Sequence, residues 1–395
     1  MFVIDWGWRM LEVDNATLES TRAALRAQMP ITERWAYFDH AAVAPLPRPT
    51  MQAIQEWTTQ AGEQGDTAWP AWAKQAEATR RDAAALIGAD PGEIALVANT
   101  TAGINLVAEG IDWREGDNLV LPADEYPSNQ YPWLNQAWRG VEVRTLPTDR
   151  GRVDLSALRD ACDARTRIVS MSWVQFSAGY RHDIDAAVEI AHAAGAWFFL
   201  DAIQGLGVFP LDVRSTPVDF LAADGHKWML GPEGAGMAYI RRDRLEQLRP
   251  VGVGAHSVKH AHDYTRIDMD LRDTAARYEG GSMNMPGMLG FGASLALLRS
   301  LPAGAAAACV LDITDYAVER LQSSGAQIVS HRTPEDGRDP RSGIVSFELP
   351  GRDPMEFRSG CLEAGVVLSC RAGRLRIAPH AYTNREDVDR LISML

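Results

Sequence analysis

Between residues 93 and 242 the chain alternates short apolar runs, rich in β-branched and aromatic residues, with longer amphipathic stretches. The runs EIALVA (93–98), NLVLPA (118–123), VEVRTLP (141–147), TRIVSMSWV (166–174), AWFFLDA (196–202) and DFLAAD (219–224) predict strands. The stretches DLSALRDAC (154–162) and DIDAAVEIAHAAG (183–195) predict helices, each closed by a polar or glycine stop. Strands alternating with helices in this way predict an α/β fold, a mostly parallel sheet covered by helices on both faces.

Beyond Arg242 the rhythm breaks. A loop-rich stretch with several histidines and glycines fills 252–284, and a long helical pattern follows over 286–323, interrupted by the proline and glycine of 301–304. The remainder reads as QIVSHRT, IVSFELP, a helix in DPMEFRSGCLEAG, then VVLSCRAG, RLRIAP and a terminal helix in NREDVDRLISML. This pattern predicts a smaller α+β domain over 286–395, following a large domain over 31–285. Residues 1–30 are expected to pack with the small domain. No internal repeat and no low-complexity run interrupts the pattern.

Composition narrows the function classes. The 395 residues are 46% hydrophobic, enough for more than one core, and carry a net charge of -13, which argues against general affinity for nucleic acid or anionic lipid. No run approaches the roughly 20 apolar residues of a membrane-spanning helix, and the amino terminus lacks the pattern of a secretion signal. Cys162, Cys309, Cys361 and Cys370 are far apart and form no CxxC pair, so a reducing cytoplasm is expected. Of 39 basic residues only three are lysines, Lys74, Lys227 and Lys259, so amine chemistry has three candidates.

Lys227 lies in ADGHKWMLGPEGAG, after a predicted strand and before a glycine-rich turn. That places its amine at the strand's C-terminal edge, where open parallel sheets gather ligands. Asp201 ends the run AWFFLDA; it is either a helix cap or a buried anion that needs a cationic partner. Gln204, three residues on, would lie on the same side. In EIALVANTTAGINLVAEG a strand, a turn and a helix start offer Thr100 and Thr101, which suit a phosphate monoester or serve as caps. The Walker spacing is absent. A phosphate cradle, a carboxylate and an amine on three ends of one predicted sheet point to pyridoxal 5'-phosphate (PLP). Its aldehyde condenses with a lysine, its pyridine nitrogen needs an anion, and its phosphate needs donors.

The ordered set NTTAGIN (99–105), EYPSN (125–129), LDAIQ (200–204), GHKWMLGPEG (225–234), RYEGGSMN (277–284) and RAGRLRIAPHAYTN (371–384) resembles the class V aminotransferases of PLP fold type I. That family includes cysteine desulfurases, isopenicillin N epimerase, kynureninase and C-S lyases. The resemblance runs from about Tyr37 to the C-terminus. It implies that Lys227 is the lysine joined to the cofactor, Asp201 the partner of the ring nitrogen, and Gln204 the donor to the ring O3 atom. By the same resemblance Thr100, Thr101 and His226 fall on the phosphate side, and Tyr126 falls near the position that stacks on the ring. Gln175 resembles a residue that helps hold O3. Ser282 matches a position that reaches the phosphate from the other subunit, which implies a homodimer with sites at its interface.

Two departures matter. Many relatives have serine at the position of Asp224, and a carboxylate beside a phosphate is repulsive unless it turns away or is protonated. Desulfurases need a mobile cysteine to take sulfur as a persulfide; in the closest desulfurase pattern Arg376 occupies that position, and Cys370 and Cys361 are offset from it. Arg371, by the desulfurase pattern, and Arg376, by the kynureninase-like pattern, are alternative binders of a substrate α-carboxylate. His256, His260 and His262 lack a metal-ligand spacing and are expected at the border of the site. Tryptophans at 6, 8, 35, 57, 69, 72, 133 and 138 are expected in the core or at a substrate entrance, with Trp69 and Trp72 as pocket walls.

The resulting expectation is a PLP enzyme acting at the α-carbon of an amino acid, with aminotransferase-type chemistry first. C-S lyase or desulfurase chemistry and epimerisation are the alternatives. A non-catalytic binding subunit on the same fold is a further one.

Overall fold

The computed structural model describes residues 2–5, 10–334 and 338–395, with side chains from residue 13 onward. Trp6 and Trp8 lie outside the described residues. The six predicted runs are strands: β1 (Ile94–Val97), β2 (Asn118–Pro122), β3 (Glu142–Leu146), β4 (Thr166–Ser172), β5 (Trp197–Asp201) and β6 (Phe220–Asp224). A seventh, β7 (Gly236–Ile240), is absent from the predicted set because its five residues emerge directly from a glycine-rich turn. The strand order is β1-β7-β6-β5-β4-β2-β3, parallel except that β7 runs antiparallel to both neighbours. Two antiparallel pairings in succession leave β1 parallel to β6, so β1, β2, β4, β5 and β6 end on the same edge.

Alternate residues of these strands enter two separate cores. Val169, Met171, Phe198, Leu200, Leu221 and Ala223 face one side, whereas Ile168, Phe199, Phe220, Ala222, Leu119 and Leu121 face the other. Burial on both faces explains the near-continuous apolar runs of the sequence. The helices used below are α1 (Asn15–Ala27), α2 (Arg48–Gln64), α3 (Trp69–Leu86), α4 (Thr100–Gly110), α5 (Leu155–Ala161), α6 (Ile184–Ala193), α7 (Met285–Arg299), α8 (Ala305–Ser323), α9 (Pro354–Glu363) and α10 (Arg385–Ile392). α4 starts at the shared edge, capped by the Asn99 side chain, which accepts from Ala102 N at 2.8 Å. It lies so close to β6 that a Cβ on Gly103 would stand 2.6 Å from the Cβ of Ala222, so only glycine fits there.

A second sheet of four antiparallel strands, β8 (Gln327–Ile328), β9 (Val345–Glu348), β10 (Ser369–Arg371) and β11 (Arg374–Ile377), has the order β8-β9-β11-β10. β10 and β11 are joined by Ala372 and Gly373, both at positive φ (49° and 74°), as a two-residue hairpin turn requires. α1 is tied to the C-terminal part of the chain. Arg22 pairs with Asp312 of α8 at 2.7 Å and donates to Thr383 O at 2.8 Å, and Arg26 pairs with Asp387 of α10 at 2.7 Å.

Candidate active site

Asp201 is the last residue of β5, 2% exposed, and its carboxylate accepts from Ile203 N at 3.1 Å. The turn after β6 carries Asp224, Gly225, His226 and Lys227 back over the same edge. Lys227 is 7% exposed, yet among the described residues its amine makes no hydrogen bond and no ion pair; it stands 5.3 Å from the centroid of the Tyr126 ring. Burial pushes the amine down to about 8, Asp201 opposes the fall and Arg376 reinforces it. Burial likewise raises Asp201 to about 6, against the Ile203 N–H and the Lys227 charge. A buried amine left without a partner is costly as a permanent arrangement. It suits a lysine that condenses with an aldehyde, since a neutral fraction is then present near pH 7–8.

The anion cradle lies at the start of α4. Thr100 Oγ1 accepts from Asp224 N at 3.0 Å, locking the helix start to the end of β6, and Thr101 is half-buried beside it. Asp224 Oδ1 and His226 Nδ1 stand 3.0 Å apart but misaligned for a hydrogen bond, and both atoms are buried without another partner. Asp224 thus turns one carboxyl oxygen toward the His226 imidazole. A helix start with free N–H groups, a threonine hydroxyl and an orphaned imidazole nitrogen fit a phosphate monoester. Together with Asp201 and the unpaired amine, these residues fit PLP.

Arg376 is almost wholly buried. Its Nε donates to Ser369 Oγ at 3.0 Å, Nη1 to Phe176 O at 2.6 Å, and Nη2 pairs with Asp39 at 3.0 Å. Asp39 reaches it because its backbone bridges Ala378 just beyond β11. Arg371 is half-buried, donates to Cys370 O at 2.9 Å, and pairs with no carboxylate among the described residues.

The other candidates are placed as follows. Tyr126 packs edge-on against Phe176, with centroids 5.2 Å apart, above Lys227. Gln204 donates to Ala41 O at 3.0 Å and accepts from Trp228 Nε1 at 2.7 Å, leaving one amide hydrogen without a protein acceptor. Gln175 directs its amide at Asp124, at 3.1 Å from the backbone oxygen, while Oε1 accepts from Ser177 N and Ala178 N. Ser282 is exposed, in the loop before α7. His260 is 3.7 Å from Asp270, and His262 packs edge-on against the exposed Trp69; Trp72 is buried, its Nε1 donating to Gln60 at 2.8 Å.

Three supporting residues escape the sequence reading. Glu125 is buried, accepts from Ser172 N at 2.6 Å and from the Ser172 hydroxyl, and is raised to about 7, by burial first and by Asp201 in part. Asp39 holds Arg376. Trp228, next to Lys227, is fixed from two sides: its indole N–H to Gln204, and its carbonyl oxygen 3.0 Å from His380 Nε2, whose ring stacks on the indole. The motif EYPSN contains Glu125, but a carboxylate in a tight turn carries no local mark of burial.

Residues 36–391 match the family Aminotransferase class-V. A probable cysteine desulfurase of Methanothermobacter thermautotrophicus is 30% identical, over 93% of this chain and 95% of its own. Isopenicillin N epimerase of Streptomyces clavuligerus is 31% identical, over 80% and 82%. Among solved structures, the cysteine desulfurase CsdA of Escherichia coli superposes with a TM-score of 0.84 at 26% identity, over 97% of this chain and 98% of that one. Family match, fold and a site that fits the cofactor agree: this chain belongs to the class V aminotransferases and is a PLP-dependent enzyme.

Proposed function

We propose that this enzyme is a lyase that breaks the bond between the β-carbon and sulfur of an amino acid and releases the sulfur without passing it to one of its own cysteines. The observation that carries this reading is the two-residue turn between β10 and β11. Cys370 sits in the ladder opposite Leu375, on the face that packs into the small sheet's core, while its neighbours Ser369 and Arg371 face the other way. Cys361 is buried in the same core, and burial pushes its thiol up to about 11; Cys162 and Cys309 are raised to about 11 for the same reason. A short hairpin leaves no loop to carry a thiol toward Lys227. The relatives named for cysteine desulfuration support sulfur chemistry over the transamination expected first from the sequence.

When bound, PLP supplies the electron sink that makes the substrate's α-hydrogen acidic. Asp201 holds the negative charge that keeps the sink protonated. Arg376, fixed by three contacts, orients the α-carboxylate with the N–H groups it has left. The Tyr126 ring, edge-on to Phe176, stands over the amine. Lys227, once released, takes the α-proton, and the electron pair left behind expels the sulfur as a thiolate. For an S-substituted cysteine the balance is one water consumed, and one thiol, one pyruvate and one ammonia formed.

The same reading makes the working form a homodimer, with Ser282 completing the partner's phosphate site; its exposure in the single chain supports this. All four cysteines are free, which supports a cytoplasmic setting. No described helix is long and apolar enough to cross a membrane.

The test is to load the protein with PLP and offer L-cysteine, L-cystine, S-substituted cysteines and L-alanine. Pyruvate and thiol release, undiminished when Cys361 and Cys370 are both changed to alanine, is the expected result. Keto acid with the amine form of the cofactor, or the D-amino acid, would replace elimination by transamination or epimerisation. A colourless protein that takes up no PLP would return the binding-subunit alternative.

A further inference from the structure

The phosphate end of the site contains an anion of its own. The main-chain N–H of Asp224 donates to Thr100 Oγ1, which fixes Asp224 beside the start of α4. In that first turn the N–H groups of Ala102 and Gly103 go to Asn99, leaving those of Thr100 and Thr101 free for a phosphate. Asp224 is 5% exposed, so its carboxylate cannot withdraw into solvent when a dianion arrives. Few charged groups face it. Lys227, on the same turn, feels its charge and that of Asp201. On β7 its strand partner is Gly236, and beyond that stands Val97 of β1; the first turn of α4 carries only Thr100, Thr101, Ala102 and Gly103. The remaining group is His226. Its main chain is held by Ala44, whose N–H donates to His226 O at 2.7 Å. Its Nδ1 stands 3.0 Å from Asp224 Oδ1, and neither atom has another partner among the described residues.

From this we infer that Asp224 and His226 bind the cofactor's phosphate as a dyad. When the phosphate arrives, His226 takes one proton from solvent; its Nδ1–H donates to Asp224 and its Nε2–H to a phosphate oxygen. An imidazole between two anions is held as the imidazolium, and each of its N–H groups then makes a charge-assisted bond. The phosphate stays dianionic, since the second ionisation of a phosphate monoester lies at about 6. Asp224 therefore aids binding only through the ring it charges, and without that ring it repels. The dyad concerns the cofactor alone and is independent of the reaction proposed above.

Four forms of the cofactor-free protein test it at pH 8: wild type, Asp224→Asn, His226→Asn and the double variant. Each is titrated with PLP and with pyridoxal, which offers the same aldehyde to Lys227 but has no phosphate. Asp224→Asn alone should weaken PLP about tenfold, the scale of exchanging a charge-assisted hydrogen bond for a neutral one. In the His226→Asn background the same change should strengthen PLP, because it then removes a bare carboxylate from beside the phosphate. Pyridoxal should respond little to any of these changes. The phosphorus NMR resonance of PLP bound to the wild type should be that of the dianion. Calorimetry in buffers of different ionisation heat should show about one more proton taken up with PLP by the wild type than by Asp224→Asn. An effect of Asp224→Asn with the same sign in both backgrounds overturns the dyad, as does equal proton uptake by the two proteins. A monoanionic resonance also overturns it, by placing the proton on the phosphate. Equal losses for PLP and pyridoxal overturn it by tracing the effect to the fold. If the wild type takes up neither compound, the cofactor assignment itself fails.

Discussion

Ser172 donates both its backbone N–H and its hydroxyl to the carboxyl group of Glu125, and Ser172 is the direct neighbour of Asp201 on the adjacent strand. Two buried carboxyl groups therefore share one strand end. On the proposed reading one of them, Asp201, is negative when the cofactor is in place. The other can remain protonated near neutrality, because burial has raised it to about 7.

This arrangement predicts a pH effect on the cofactor-free protein. A carboxyl group raised in the folded state contributes stability that is fully present below its unfolded value near 4.5 and is lost as pH rises through about 7. Thermal melts of the cofactor-free protein should show a lower Tm at pH 8 than at pH 5. In Glu125→Gln the decline should be smaller by roughly 2–5 °C. An identical decline in wild type and variant would mean that Glu125 is already ionised throughout.

The second prediction concerns uptake of PLP, which requires the neutral amine of Lys227. The uptake rate should rise with pH around a midpoint of about 8, well below that of an ordinary lysine. Asp201 favours the charged amine, so Asp201→Asn should move the midpoint down; Arg376 disfavours it, so Arg376→Gln should move it up. Stopped-flow absorbance after mixing with PLP reads both shifts, and Lys227→Ala should give no borohydride-sensitive band at all. Shifts in the opposite directions would contradict the assigned electrostatics.

The close approach of α4 to β6 gives a third. Gly103→Ala places a methyl 2.6 Å from the Ala222 side chain, which must displace the helix start that offers Thr100 and Thr101. Overpacking of this kind costs about 1–3 kcal/mol, and PLP affinity should fall about tenfold or more. The paired change Gly103→Ala with Ala222→Gly should recover much of it. Equilibrium titration with PLP and a parallel melt separate the effect on the cradle from a general loss of stability.

A fourth prediction targets the bracing of Gln204. Trp228→Phe keeps the ring contact with His380 but removes the indole N–H that Gln204 Oε1 accepts, leaving a buried acceptor unsatisfied. The expected cost is about 1–3 kcal/mol in chemical denaturation. No loss would indicate that water replaces the indole.

Much of the fold could be read from the chain because the strands of the large sheet other than the edge strand β3 are buried on both faces and stand out as apolar runs; β7, five residues behind a glycine turn, lacks that contrast. Lys227 and Asp201 stand out in the sequence for a related reason, Asp201 as a charged residue ending an apolar strand and Lys227 as one in the turn that follows another. Glu125 and Asp39 were not, since what distinguishes them is the partner they meet, Ser172 in one case and Arg376 in the other, and neither partner is near in sequence. The amides of Gln175 and Gln204 were expected to face the cofactor ring. In the structure each also ties down a neighbouring segment, a use that depends on where Asp124, Ala41 and Trp228 come to rest in three dimensions.

The anchoring of Trp228 has a bearing on how the neighbouring lysine can work. With the following residue gripped at its indole and at its carbonyl, the main chain at 227 is a fixed post. The amine can travel only as far as rotation about its own methylene arm allows. On the proposed reading, every position it would take up, joined to the cofactor or standing over the α-carbon, falls on the small arc swept from that single pivot. That reading lets the protein set which side of the substrate is deprotonated without moving the main chain at 227.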